Sequence, residues 1–142
     1  MNDILLTVDP VVTINNEKIL LIKRAKEPFM DKYSFPGGHV DLGDVDTKHA
    51  CARELEEETG LLVNPEDLEF LVILDKLNRD PRQGRRISIV YKIDLPSEDL
   101  LRDCKADSDA KELVIKNIDE LKPDDMAFDH YQVIEMLKKP TN

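Results

Sequence analysis

The chain has 142 residues, with 20 Lys and Arg against 30 Asp and Glu, for a formal net charge of −10. That length suits one domain over residues 1–142 with a sizeable core, and the acidic balance excludes a duplex nucleic-acid binder, which needs an electropositive footprint for phosphates. Cys51 and Cys104 form no CxxC motif and the start MNDILLTVDP lacks a basic region followed by an apolar core, so a cytoplasmic protein with free thiols and no membrane partner is expected.

Residues 5–14 form a β-rich run broken at Asp9-Pro10. Asn15-Asn16 follow as a turn, and KILLIKR, residues 18–24, supplies the second strand of a hairpin that ends on the charge of Arg24. The loop 25–32 leads to a short extended piece, 33–36, and then to Gly37-Gly38, whose backbone is able to approach a metal or phosphate closely. Asp46 or Thr47 caps a helix that runs to about Thr59, with Asp44 and Asp46 near its positive end. Gly60 provides a left-handed stop.

On that helix Glu54, Glu57 and Glu58 stand at i, i+3 and i+4, within an arc of roughly 100° at 3.6 residues per turn, while Glu56 points elsewhere. Like charges at this spacing repel one another. A cation between them relieves the repulsion, and an all-oxygen ligand set selects Mg²⁺ or Mn²⁺ over Zn²⁺. A solvated acidic face is the competing reading, and the glycine lead-in weighs against it.

After a break at 64–67, residues 68–77 and 87–95 read as strands. Between them NRDPRQGRR, residues 78–86, gathers Arg79, Arg82, Arg85 and Arg86 in an otherwise acidic chain, a pattern suited to bidentate phosphate recognition or to an exposed charged turn. A polar connection with a short helical turn covers 97–103, an acidic stretch leads into a strand at 113–115, and 118–121 form a helical turn stopped near Pro123. Residues 128–138 form a terminal helix with Tyr131, Ile134 and Leu137 on one packing face. His39, His49 and His130 lack metal-ligand spacing and read as cap or surface histidines. Strands, helix, strands and helix in that order indicate an α/β domain with a mixed sheet between helices.

The stretch GGHVDLGDVDTKHACARELEEETGL, residues 37–61, resembles the Nudix hydrolase signature G-x5-E-x7-R-E-U-x-E-E-x-G-U, where U is a bulky aliphatic. Gly38, Arg53, Glu54, Leu55, Glu57, Glu58, Gly60 and Leu61 match; Asp44 stands where the family has Glu, and eight residues rather than seven separate it from Arg53. The arginine loop is similar to the RDPRG loop of members that act on ADP-ribose, with Gln83 inserted before Gly84, and AFDH at 127–130 is similar to a stretch in the same members.

The resemblance implies the Nudix-type α/β/α sandwich and a Mg²⁺- or Mn²⁺-dependent hydrolase of a nucleoside diphosphate derivative, ADP-ribose being split into AMP and ribose 5-phosphate. It implies metal ligation by the Gly37 carbonyl and by Glu54, Glu57 and Glu58, with Arg53 orienting the carboxylates. Glu57 or Glu112 accepts the water's proton, Asp107 and Asp109 competing with Glu112 for that role, and Arg24, Gly38, Arg79 and Arg82 contact the substrate. A homodimer is the implied assembly. Other substrates of the family, namely sugar nucleotides, dinucleoside polyphosphates and oxidised nucleoside triphosphates, are the alternatives, as is a sensor that binds ADP-ribose without turning it over.

Overall fold

Strands that are apolar at consecutive positions need cover on both faces, and β1 (Ile4–Ile14) and β2 (Lys18–Arg24) are of this kind. In the computed structural model, which describes residues 3–108 and 111–138, the two form the expected hairpin. Asn15 and Asn16 turn the chain at φ 52° and 53°, the left-handed backbone that asparagine tolerates better than most residues.

β1 is the hub of a mixed sheet. It runs parallel to β6 (Arg85–Leu95) along its whole length and antiparallel to β2 at Thr13 and Ile14. A two-residue strand, β3 (Tyr33–Ser34), pairs with β2, and a second, β4 (Gly38–His39), pairs with β1 at Thr7 and Val8. β5 (Glu69–Leu74) flanks β6, and β7 (Lys111–Asn117) flanks β2, to give seven strands.

Pro10 does not break β1. It falls between the two antiparallel pairings of that strand, with β4 on one side and β2 on the other, so its missing N–H removes no bond from either.

Each sheet face has its own core. Val11, Ile19, Leu21 and Val90 pack with Val133 and Ile134 of α2 (Tyr131–Leu137), while Val12, Leu20 and Tyr91, their neighbours in sequence, belong to the clusters that include Ala50, Cys51 and Leu55 of α1 (Thr47–Thr59). Sheet between helices is the layering expected from the element order.

The ends of several elements differ from expectation for local reasons. α1 starts and stops as read: Asp46 accepts from the His49 N–H, and Gly60, at φ 82°, donates to the Glu56 carbonyl. α2 begins only at Tyr131, because Phe128 at φ 53° has a left-handed backbone that no α-helix contains. β5 ends at Leu74, ahead of exposed Asp75 to Leu77. Among the described residues no helix is long and apolar enough to cross a membrane.

Candidate active site

β4 lies between β1 and α1, and it brings the two glycines of the lead-in against the acidic face of the helix. A Cβ on Gly38 would stand 2.7 Å from Glu54 Oε1 and nearer still to the rest of that carboxylate, so only glycine lets β4 pass this close. Glu54 is thereby almost entirely shielded from solvent. Burial pushes its pKa above the ordinary value, against the opposing hydrogen bond and charge of Arg53.

Arg53 ties the turn to the helix. Its Nε and Nη2 donate to Asp44 Oδ1 and Oδ2 at 2.9 and 2.8 Å, Nη1 donates to Glu54 at 2.9 Å and Glu57 at 3.1 Å, and Nη2 also reaches the His39 carbonyl at 3.0 Å. Every N–H of the guanidinium therefore has an acceptor. Asp44, shorter than Glu and one residue further from Arg53 than the signature requires, still meets it with both oxygens. The Asp41 N–H donates to Asp44 Oδ2 at 2.7 Å and so helps to hold that carboxylate in place. Hydrogen bonding from Arg53 holds the Asp44 carboxyl below its usual range.

Glu58 faces a different cation. Lys111 Nζ donates to its two oxygens at 2.7 and 3.0 Å. Burial raises the Glu58 pKa, and the lysine opposes that rise. With Glu54 and Glu57 turned to Arg53 and Glu58 turned to Lys111, no three acidic, histidine or cysteine side chains among the described residues converge on a metal position. The donor chemistry nonetheless suits Mg²⁺ or Mn²⁺: three carboxylates on one helix face, two of them with charge disfavoured by burial, are what a hard cation relieves once the carboxylates rotate from their present partners.

These groups open on a cleft of about 540 Å³ whose lining includes Arg24, Gly37, Gly38, Arg53, Glu54, Glu57, Glu58, Arg79 and Arg82. Glu112 does not reach it. Arg24 pairs with Lys111 and Lys23 with Glu112 across β2 and β7; side chains alternate along a strand, so the pair facing the cleft is Arg24 and Lys111, and Glu112 is exposed on the other side. Glu112 is thus not among the residues that border the cleft. Of its competitors, Asp107 lies 3.7 Å from Lys111, and Asp109 lies outside the described residues.

The arginine loop is not a uniform charged turn. Arg79 is 5% exposed and makes a bidentate pair with Asp129 at 2.8 and 2.9 Å, so its guanidinium anchors the loop to the entry of α2. Arg82 pairs with its near neighbour Asp80, Nη2 to Oδ2 at 2.7 Å, and lies 5.0 Å from the Phe128 ring centroid. Arg85 reaches the Asp75 carbonyl at 3.2 Å, away from the cleft lining. Arg24 donates to the Pro28 carbonyl at 2.7 Å and stands 5.2 Å from the same ring. Burial and then repulsion from Arg82 lower its pKa.

His130 is neither a surface residue nor a side-chain cap. It is buried, stacked on Phe35 with ring centroids 4.4 Å apart, and its Nδ1 accepts the Phe35 N–H at 3.2 Å. The ring proton is therefore on Nε2, which faces Asp9 Oδ2 at 3.6 Å. Asp9 also accepts from the Ser88 hydroxyl at 2.5 Å. Arg86 of the arginine loop lines the cleft, as do Asp9 and Lys111, which no motif singled out, since their placement follows from pairings between distant strands.

Comparison with known proteins identifies the family. The family model described as NUDIX domain matches residues 6–137. An "ADP-ribose pyrophosphatase" of Methanocaldococcus jannaschii is 39% identical over 128 residues, 90% of this chain and 69% of that protein. The "ADPR responsive transcriptional repressor NtrR" of Acinetobacter baylyi is 28% identical over 92% of this chain but 52% of its own length. Among solved structures, a bifunctional NMN adenylyltransferase/ADP ribose pyrophosphatase of Francisella tularensis, complexed with AMP and a Mn ion, superimposes with a TM-score of 0.75 at 31% identity; the match covers 96% of this chain and 42% of that one. The chain thus spans well under two thirds of two of these three relatives. With the signature carboxylates on one helix, the glycine strand against them and a family match over nearly all its length, the chain belongs to the Nudix domain family.

Proposed function

We propose that the chain is a divalent-metal-dependent hydrolase of a nucleoside diphosphate derivative, with ADP-ribose as substrate and AMP and ribose 5-phosphate as products. The observation that carries this reading is the two-sided charge of the cleft: carboxylates of α1 and guanidiniums of Arg24 and Arg82 border one cavity. A diphosphate with a metal at one phosphoryl group matches that distribution. The relative with ADP-ribose pyrophosphatase as its name, at 39% identity, supports the choice of substrate.

Hydrolysis requires negative charge on the phosphoryl oxygens to be offset and a water to be activated. Mg²⁺ or Mn²⁺, held by Glu54, Glu57, Glu58 and the Gly37 carbonyl, would supply charge neutralisation and a more acidic water. Arg53 orients Glu54 and Glu57 through its hydrogen bonds to both. Glu57 is the base we assign: its side chain is 58% exposed and only Oε2 is engaged, by Arg53, which leaves Oε1 free to take a proton. Arg82 and Arg24 bind the phosphoryl oxygens, and buried Asp9 and His130 line the same cleft.

The test is a panel of ADP-ribose, diadenosine tetraphosphate, a sugar nucleotide and 8-oxo-dGTP with Mg²⁺ or Mn²⁺, read by product identity. Fast release of AMP and ribose 5-phosphate from ADP-ribose is expected; background rates on ADP-ribose beside rapid cleavage of another compound would refute the substrate assignment. The likeness to an ADPR responsive repressor supports a second reading, in which the cleft binds ADP-ribose as a sensor. Saturable binding with no product at any metal concentration is its signature.

A further inference from the structure

Arg86 carries an unanswered charge in the cleft. Its Nη1 is buried without a hydrogen-bond partner, and no other buried side-chain nitrogen or oxygen among the described residues is in that state. Arg86 sits near the start of β6, paired with Leu5, while Ser88 on the same strand face is paired with Thr7; the side chain lines the cleft and is 14% exposed. A buried donor left unpaired is costly, the more so when it is charged.

The nearest carboxylate does not answer it. Asp80 Oδ1 is 3.7 Å from Arg86 Nη1, too far for a hydrogen bond. Both Asp80 oxygens are already engaged by Arg82, whose backbone N–H reaches Oδ1 at 2.9 Å, whose Nε lies 3.0 and 3.2 Å from the two oxygens, and whose Nη2 donates to Oδ2 at 2.7 Å. Arg24 borders the same cavity. Arg82 and Arg86 thus share one carboxylate, whereas Arg79 is matched by Asp129.

We propose that Arg86 is a substrate-anchoring residue whose guanidinium, through the part that lines the cleft, donates to an oxyanion of the phosphoryl group remote from the α1 carboxylates, and that Arg79, despite lining the same cleft, has a structural task instead. This rests on the reading of the cleft as a diphosphate site. A phosphoryl oxygen rather than a sugar hydroxyl is the fitting acceptor, because a guanidinium donor is hydrogen-bonded most strongly by an anionic oxygen. The planar guanidinium is already held by its surroundings, so little freedom is lost on binding.

The experiment compares wild type, Arg86→Gln, Arg86→Lys and Arg79→Gln in steady-state kinetics on ADP-ribose with Mg²⁺. Thermal melting is followed without ligand, and the metal-free proteins are titrated with inorganic pyrophosphate. Arg86→Gln is expected to raise KM about 10- to 100-fold with kcat changed by less than about threefold, with Arg86→Lys intermediate. The unliganded Tm of Arg86→Gln should equal or exceed that of wild type, since a buried donor without a partner has been removed, and Arg79→Gln should melt lower. An unchanged KM in Arg86→Gln, or a fall in its unliganded Tm with no change in KM, overturns the proposal. If wild type fails to cleave ADP-ribose, the functional reading falls and pyrophosphate decides for Arg86: weaker binding by Arg86→Gln sustains the anchor, and equal binding by both proteins removes it.

Discussion

Replacing Gly38 by alanine isolates the contact between β4 and α1. The new methyl group would lie 2.7 Å from Glu54 Oε1 and closer to the other carboxylate atoms, whereas carbon and oxygen atoms rest near 3.5 Å, so the carboxylate must retreat by about 1 Å. Glu54 is the end of a flexible side chain, and glycine to alanine at an ordinary backbone angle itself stabilises by about 0.4–1 kcal/mol through the unfolded chain; the fold should survive. What suffers is position. A displacement of about 1 Å in a catalytic constellation costs about 100-fold in rate, and the 2.9 Å bond from Arg53 to Glu54 is lost with it. The assay is kcat on the substrate that the panel identifies, with metal affinity from Mn²⁺ titration and Tm from calorimetry. Gly43→Ala is the control, because nothing lies within 4 Å of a Cβ there. A Gly38→Ala protein with wild-type kcat and metal affinity would show that the Glu54 carboxylate does not need its present place.

Glu57→Gln is expected to lower kcat by more than about 100-fold with an unchanged melting profile, while Glu112→Gln stays within about twofold; equal losses in the two variants would restore Glu112 to the mechanism. Removing either partner of the Arg79–Asp129 pair leaves a poorly hydrated charge, so Arg79→Ala and Asp129→Ala should each destabilise by about 3–5 kcal/mol, with the double variant far short of the sum. Additive losses in chemical denaturation would show that the two do not act together. Glu58 gives a pH test in the metal-free protein. Its folded pKa is raised from 4.5, chiefly by burial, so its contribution is fully present below that value and is lost as pH rises through the raised one. Glu58→Gln, which cannot ionise, should therefore gain Tm relative to wild type as pH rises from below the ordinary carboxylate pKa through the raised one, and a difference that stays constant over that rise would contradict the shift. Lys111→Met frees Glu58 from its 2.7 Å partner and should lower the metal concentration needed for half-maximal Mn²⁺ binding, a result that an unchanged titration would rule out.

The helix that carries the signature was readable in one dimension because all its determinants are local. Asp46 caps its own first turn, Gly60 ends it with a backbone that other residues resist, and Glu54, Glu57 and Glu58 share a face by the arithmetic of 3.6 residues per turn. The hairpin of β1 and β2 and the layering of sheet between helices were legible for the same reason: each follows from periodicity, turn chemistry and the order of elements along the chain.

Which charge meets which partner was decided only when distant strands came together. Glu112 and Lys111 are neighbours in sequence, yet pairing of β7 against β2 sends the lysine into the cleft and the glutamate away from it. Arg79 and Arg86 look alike in the loop, but Asp129, fifty positions on, satisfies one while the other is left with a buried donor and no acceptor. His130 gained its stacked, buried place from Phe35 and Asp9, neither of which lies near it in the chain. Local rules set the backbone path because dihedral preference and hydrophobic period act over a turn or a strand; the electrostatics of the cleft are sums over groups brought close by folding, and no window of the sequence contains all the terms.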